Sequence, residues 1–91
     1  MSEKILDRIL EAYSEEEFLK VGEGENNKFD DAVIGLSEGF NEPLRLIYSV
    51  SKMLEILENE MTPEEALGHF TNNISGSYMG EKTPVWCWDT Y

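Results

Sequence analysis

His69 is the only histidine in the chain and follows Glu65 by four residues, a spacing that puts both on one face of a helix. An imidazole beside a carboxylate could hold a metal, or could be oriented to activate a nucleophile such as Cys87, the only cysteine. Zinc needs at least a third protein ligand, and Cys87 is the only other good donor on offer. The plainer reading is a surface or half-buried histidine beside a helix glutamate. The acidic run Glu-Gly-Glu-Asn-Asn-Lys-Phe-Asp-Asp, residues 23–31, carries oxygen donors suited to calcium. It lacks the alternating Asp/Asn spacing and central glycine of an EF-hand loop, and reads as a solvated loop. Of the glycine pairs, Gly22 and Gly24 precede no strand-to-helix junction of the phosphate-binding kind. Gly76 and Gly80 follow a helix, yet backbone N–H groups there, with Lys82 and Thr83, could still cradle an anion.

Contact chemistry is richest at the C-terminal end, in Tyr78, Trp86, Trp88 and Tyr91. Strand alternation sends Trp86 and Trp88 to the face opposite Val85 and Cys87, so one pair is exposed unless helices cover both sides of the sheet. Exposed tryptophan marks an interface with a partner or a second copy, so a homo-oligomer is among the expectations. The residues expected to touch a ligand or partner are Tyr78, Gly80, Glu81, Lys82, Thr83, Trp86 and Trp88. No catalytic residue, metal or cofactor is expected.

The 91 residues are sufficient for one domain and too few for a second core. A composition that is 41% hydrophobic is too apolar for a disordered chain. Nineteen acidic residues against seven Lys plus Arg give a formal net charge of −12, which repels phosphate backbones and anionic lipid. Direct nucleic-acid or membrane binding is therefore not expected, whereas a basic surface on a protein would be attracted. Ten of the nineteen acids lie between Glu3 and Asp31, dense enough to raise a DNA mimic as an alternative. A lone cysteine forms no internal disulfide, and no run approaches the ~20 apolar residues of a membrane span. The N-terminus lacks the apolar core of a signal peptide, so the expected compartment is the cytoplasm.

The elements that must position these residues follow from periodicity. Ser2 caps a first helix whose apolar face is Ile5, Leu6, Ile9, Leu10 and Tyr13. Ser14 and Glu17 offer a capping box for a second helix or kinked continuation through Phe18, Leu19 and Val21, making residues 1–21 an N-terminal helical segment. Residues 22–31 read as a loop. Residues 32–37 and 44–50 form two strands of an antiparallel hairpin, with Leu44, Leu46 and Tyr48 on one face and Arg45 and Ile47 on the other. A helix follows with Val50, Met53, Leu54, Leu57 and Met61 inward. Thr62, Pro63 and Glu65 then open a well-capped helix to about residue 74 that buries Ala66, Leu67, Phe70 and Ile74, with Gly76 as a left-handed stop. Val85–Trp88 closes a third strand. The expected fold is α+β, a single small domain over 1–91 with helices on a three-stranded sheet in the order α-β-β-α-α-β.

Between residues 29 and 86 the sequence resembles a group of small phage and prophage proteins that carry no assigned activity. The match runs through Tyr48, Lys52, Glu55 and Leu57, then Met61, Thr62, Glu64, Glu65 and Ala66. It ends in Asn73, Gly76, Tyr78, Gly80, Glu81, Thr83 and Pro84, an Asn-x-x-Gly-x-Tyr-x-Gly-Glu-x-Thr-Pro segment. Leu57 sits one residue off the pattern, and Ser77 replaces an alanine-like position. On this resemblance residues 29–91 are the family-like core, and the resemblance implies a phage-borne protein in a bacterial cytoplasm. The expected function is non-enzymatic: binding a host protein in host takeover or counter-defence. The alternative is a small-molecule ligand, a nucleotide signal sequestered by the 76–84 loop.

Overall fold

The apolar rows of three strands fix the architecture. A computed structural model describes residues 4–22, 27–76 and 80–89. Three helices pack with a three-stranded mixed sheet, an α+β fold: α1 (Ile5–Ala12), β1 (Val33–Ser37), β2 (Arg45–Ser49), α2 (Val50–Leu57), α3 (Pro63–His69) and β3 (Val85–Cys87). The strand order is β1-β2-β3. β1 and β2 pair antiparallel through the 38–44 connection, as the hairpin pattern required. β3 returns parallel to β2, with Ile47 opposite Val85 and Tyr48 opposite Trp86, a direction that a crossover through α2 and α3 allows.

Cross-strand partners share a face. Val33 opposes Tyr48 and Leu36 opposes Leu46, although residues three apart on a regular strand point to opposite faces. A bulge between Val33 and Gly35 absorbs the extra residue, so both side chains turn to the core. Leu46, Tyr48, Val50, Met53, Ala66 and Phe70 are essentially shut off from solvent there. Arg45 and Ile47 are only half-buried, as the expected alternation requires.

The N-terminal third departs from expectation. Ser2 lies outside the described residues; α1 starts at Ile5 after Lys4, whose side chain makes no cap bond. Only Leu6 and Ile9 of its apolar set are buried, while Ile5, Leu10 and Tyr13 are exposed. No second helix follows. After a turn at 13–15, the chain from Glu16 to Lys20 has no regular structure, although Ser14 and Glu17 are spaced for a capping box. Tertiary anchors override the local signal: the Val21 N–H donates to the Tyr48 hydroxyl at 2.9 Å, and the Lys82 ammonium donates to the Glu17 carbonyl at 2.7 Å. A helix there would fold the Glu17 carbonyl back into its own ladder. Residues 28–32 are also not loop but a 3-10 turn, with the Asn27 side chain accepting from the Phe29 N–H. Phe29 and Asp30 are buried in it.

The α3 start matches its sequence signature in full. The Thr62 hydroxyl accepts from the Glu65 N–H, the Glu65 carboxylate accepts from the Thr62 N–H, and Pro63 occupies the first helical position. Its end is different. A wide π turn, Phe70–Ile74, closes with the Ser75 N–H on the Phe70 carbonyl at 2.8 Å. The Thr71 hydroxyl meanwhile donates to the carbonyls of Leu67 and Gly68. The helix closes in this turn, and Gly76 does not adopt the left-handed conformation expected of it. Leu67 is 45% exposed instead of buried. The inward line of α3 runs through Ala66 and Phe70, and Leu67 sits about 100° further round the helix.

Candidate functional site

The segment from Gly80 to Asp89 holds all but one of the expected contact residues. Tyr78 lies outside the described residues. Gly80 has φ 103°, a value that favours glycine, and opens a tight turn. The Thr83 N–H and hydroxyl both donate to the Gly80 carbonyl, at 3.1 and 2.6 Å. Thr83 is thereby committed to its own turn. The Lys82 ammonium donates to the Glu17 carbonyl and lies 3.6 Å from the Glu16 carboxylate. A hollow of about 550 Å³ separates the two stretches, walled by Glu17, Phe18, Leu19, Glu81 and Lys82. Its one cation is engaged internally and its two carboxylates repel anions.

The two tryptophans part company. Trp86 packs on the core side, its ring 5.6 Å from Tyr48 and edge-on to Phe70 at 5.4 Å. Trp88 meets Phe70 edge-on at 5.6 Å but leaves 60% of itself in solvent. Both therefore lie on the Phe70 side, as alternation demands, and only Trp88 is free for a partner. Asp89 fixes the end of this strand. Its carboxylate accepts from the Ser49 hydroxyl at 2.6 Å and from the Ser51 N–H at 3.2 Å, tying β3 to the start of α2. Those hydrogen bonds, the Ser49 hydroxyl foremost, hold its pKa down at about 2.

The catalytic trio does not assemble through Glu65, which is occupied by capping and whose carboxyl pKa is lowered by the Thr62 N–H. The His69 Nδ1 sits 3.3 Å from the Asn73 amide, at a small cavity of about 270 Å³ shared with Lys20 and Phe29. Among the described residues no three His, Cys, Asp or Glu side chains cluster as a metal site requires. Asp30, expected in a solvated loop, is buried against the Lys20 ammonium at 3.2 Å. That buried charge is offset by its Lys20 partner. Nearby burial pushes the Tyr48 phenol up to about 12, so it stays neutral.

Five of the seven Lys and Arg side chains form ion pairs within the fold. Lys4 pairs with Asp31, Lys20 with Asp30, Lys28 with Glu60, Arg45 with Glu42 and Lys82 with Glu16. The acids Glu11, Glu15 and Glu17 meanwhile stay exposed. Among the described residues no helix is long and apolar enough to cross a membrane.

Beyond those of α1, two exposed apolar residues matter for contacts. Leu67 was expected inside because it follows the buried register by one position. Phe40, in the turn after β1, is 93% exposed, the most of any large apolar residue described. Its only signal is an aromatic set in a Gly-Phe-Asn turn, where polar residues normally stand. Searches against family models, curated proteins and solved structures return no match for the chain.

Proposed function

We propose that the chain is a non-enzymatic accessory protein of a phage or prophage that acts by binding a basic host protein, in host takeover or counter-defence. The observation that carries the binding mode is Trp88. A tryptophan braced against Phe70 yet 60% exposed is a rigid aromatic anchor, the type most enriched at interface hot spots. Leu67, one turn before Phe70 on α3, is exposed as well, and so is Glu64. An apolar centre in an acidic field of net charge −12 complements a basic, apolar patch on a protein. The phage setting rests on the resemblance of residues 29–86. A DNA mimic is the special case in which the basic partner is a DNA-binding protein.

The nucleotide alternative draws on the hollow beside Lys82, but a phosphate there meets Glu17 and Glu81 and must compete for an ammonium already engaged. The two are separated by experiment. Immobilised protein in bacterial lysate is expected to recover a basic protein at low salt and to release it as ionic strength rises past the ~10 Å screening length of 0.1 M salt. Trp88→Ala is expected to abolish that recovery. Capture insensitive to both salt and Trp88→Ala overturns the reading. A nucleotide at a hundredfold excess over its dissociation constant would instead add about 2.7 kcal/mol of stability.

A further inference from the structure

Phe40 is the apolar group the fold uses least. It sits at the tip of the 38–44 connection, and nothing in the core depends on it. The tip is nonetheless held. The Glu42 N–H donates to the Gly39 carbonyl at 3.2 Å, closing a four-residue turn. Asn41 takes φ 59° at the third position, the left-handed value that a type II turn requires and that asparagine tolerates. Pro43 then restricts Glu42 to extended conformations. The Arg45 guanidinium lies 3.5 Å from the Glu42 carboxylate and braces it from β2. An exposed ring on a pre-ordered turn loses little entropy on binding.

The charge around the ring is one-sided. Glu38 and Glu42 flank it and are both exposed. Because β3 runs parallel to β2, the turn at Gly80–Thr83 lies at this same end of the sheet, and brings exposed Glu81 with it. The cations of this end, Arg45 and Lys82, are in ion pairs with Glu42 and Glu16. A second copy would bring the same carboxylates, and an anionic lipid surface would bring phosphates; both are repelled.

We infer that the 38–44 turn is a docking plug whose Phe40 ring enters an apolar pocket on a partner protein, with Lys or Arg around the pocket rim facing Glu38 and Glu42. This rests on the protein-binding reading and adds a second anchor, at the end of the sheet opposite Trp88. The test replaces Phe40 with the photo-crosslinker p-benzoylphenylalanine in bacterial cells, with the same group at exposed Glu55 on α2 as the control. Irradiation is expected to give one discrete adduct at position 40 and not at 55. Mass spectrometry of the adduct is expected to place the crosslink in an apolar segment flanked by Lys or Arg. Against that partner, purified, Phe40→Ala is expected to weaken binding about thirtyfold, the loss of one hot-spot anchor. The Glu38→Lys, Glu42→Lys double variant is expected to weaken it further and flatten its salt dependence. The inference is overturned by no adduct at position 40, by the same adducts at 55, by an adduct to lipid or to a second copy, or by a Phe40→Ala affinity within about threefold of the parent. If Trp88→Ala abolishes partner recovery while Phe40→Ala leaves it intact, only the plug falls. If neither surface captures a protein, the protein-binding reading falls with it.

Discussion

Tyr48→Phe removes a single oxygen from the centre of the molecule, and the structure sets the size of the result. Tyr48 is fully buried and its hydroxyl accepts the Val21 N–H at 2.9 Å. Val21 is itself buried, so deleting the oxygen leaves an amide without a partner or water, a loss of about 1–3 kcal/mol. A second consequence appears in alkali. Burial, the largest cause, lifts the phenol from 10.0 to about 12. A raised folded pKa means full stability below the unfolded value, lost as pH climbs from about 10 through about 12. With those two values, the protein should lose on the order of 1 kcal/mol by pH 11 through this group alone. Urea unfolding followed by tryptophan fluorescence suits both measurements, since Trp86 lies 5.6 Å from the Tyr48 ring. Tyr48→Phe should be the weaker protein at pH 7, and the gap should narrow toward pH 11, where only the parent must bury an ionising phenol. Hydrogen exchange at the Val21 amide should accelerate in the variant, because that bond pins the 16–21 segment beside Lys82. A loss below about 0.5 kcal/mol at pH 7, or parallel stability curves from pH 9 to 11, would refute the reasoning.

Three further outcomes are expected. Asp89 has a depressed carboxyl, so its contribution is present above about 3.8 and lost as pH falls through about 2; Asp89→Asn should remove that part of the acid transition seen by circular dichroism. Thr62→Ala deletes the α3 cap and should cost about 1 kcal/mol in urea titrations, while Thr62→Ser should restore most of it. Trp86→Ala strips packing from Tyr48 and Phe70 and should cost about 3 kcal/mol, whereas the exposed Trp88→Ala should cost about 1 kcal/mol or less; equal losses would contradict the division between core and surface tryptophan.

Legibility in the sequence tracked how local the controlling physics was. The α3 start was readable because Thr62, Pro63 and Glu65 make their bonds within four residues of one another. The hairpin and the faces of β2 were readable because alternation is a property of the strand itself. The segment after α1 was not. Its Ser14/Glu17 signal is local, but the anchors that defeat it, Tyr48 and Lys82, are 27 and 65 residues distant in sequence from their partners Val21 and Glu17. Gly76 did not take the left-handed stop because the helix already closes in a wide last turn, with the Ser75 N–H on the Phe70 carbonyl. In the site, alternation put Trp86 and Trp88 on one face, but it could not say that Phe70 would leave one covered and the other open. Phe40 was invisible because a turn signal says where the chain bends and nothing about which side chain is left at the bend.

The two anchors bear on one another through the sheet. Trp88 follows β3 at the end where α2 begins, and Phe40 precedes β2 at the other end. Five residues of β2 separate those ends, roughly 16 Å of strand. A standard interface covers about 800 Å² per partner, about an eighth of the 6210 Å² surface of this chain. A patch of that size is roughly 30 Å across, comparable to the molecule's 33 and 27 Å extents. One partner of ordinary size therefore reaches both residues without distortion of either. Because the strand length exceeds the range over which substitutions usually couple, the losses from Phe40→Ala and Trp88→Ala should add when a single partner holds both. If each residue serves a different partner, each loss appears in one complex alone. The parallel return of β3 is what makes that distinction measurable, since an antiparallel third strand would have brought Trp88 to the Phe40 end.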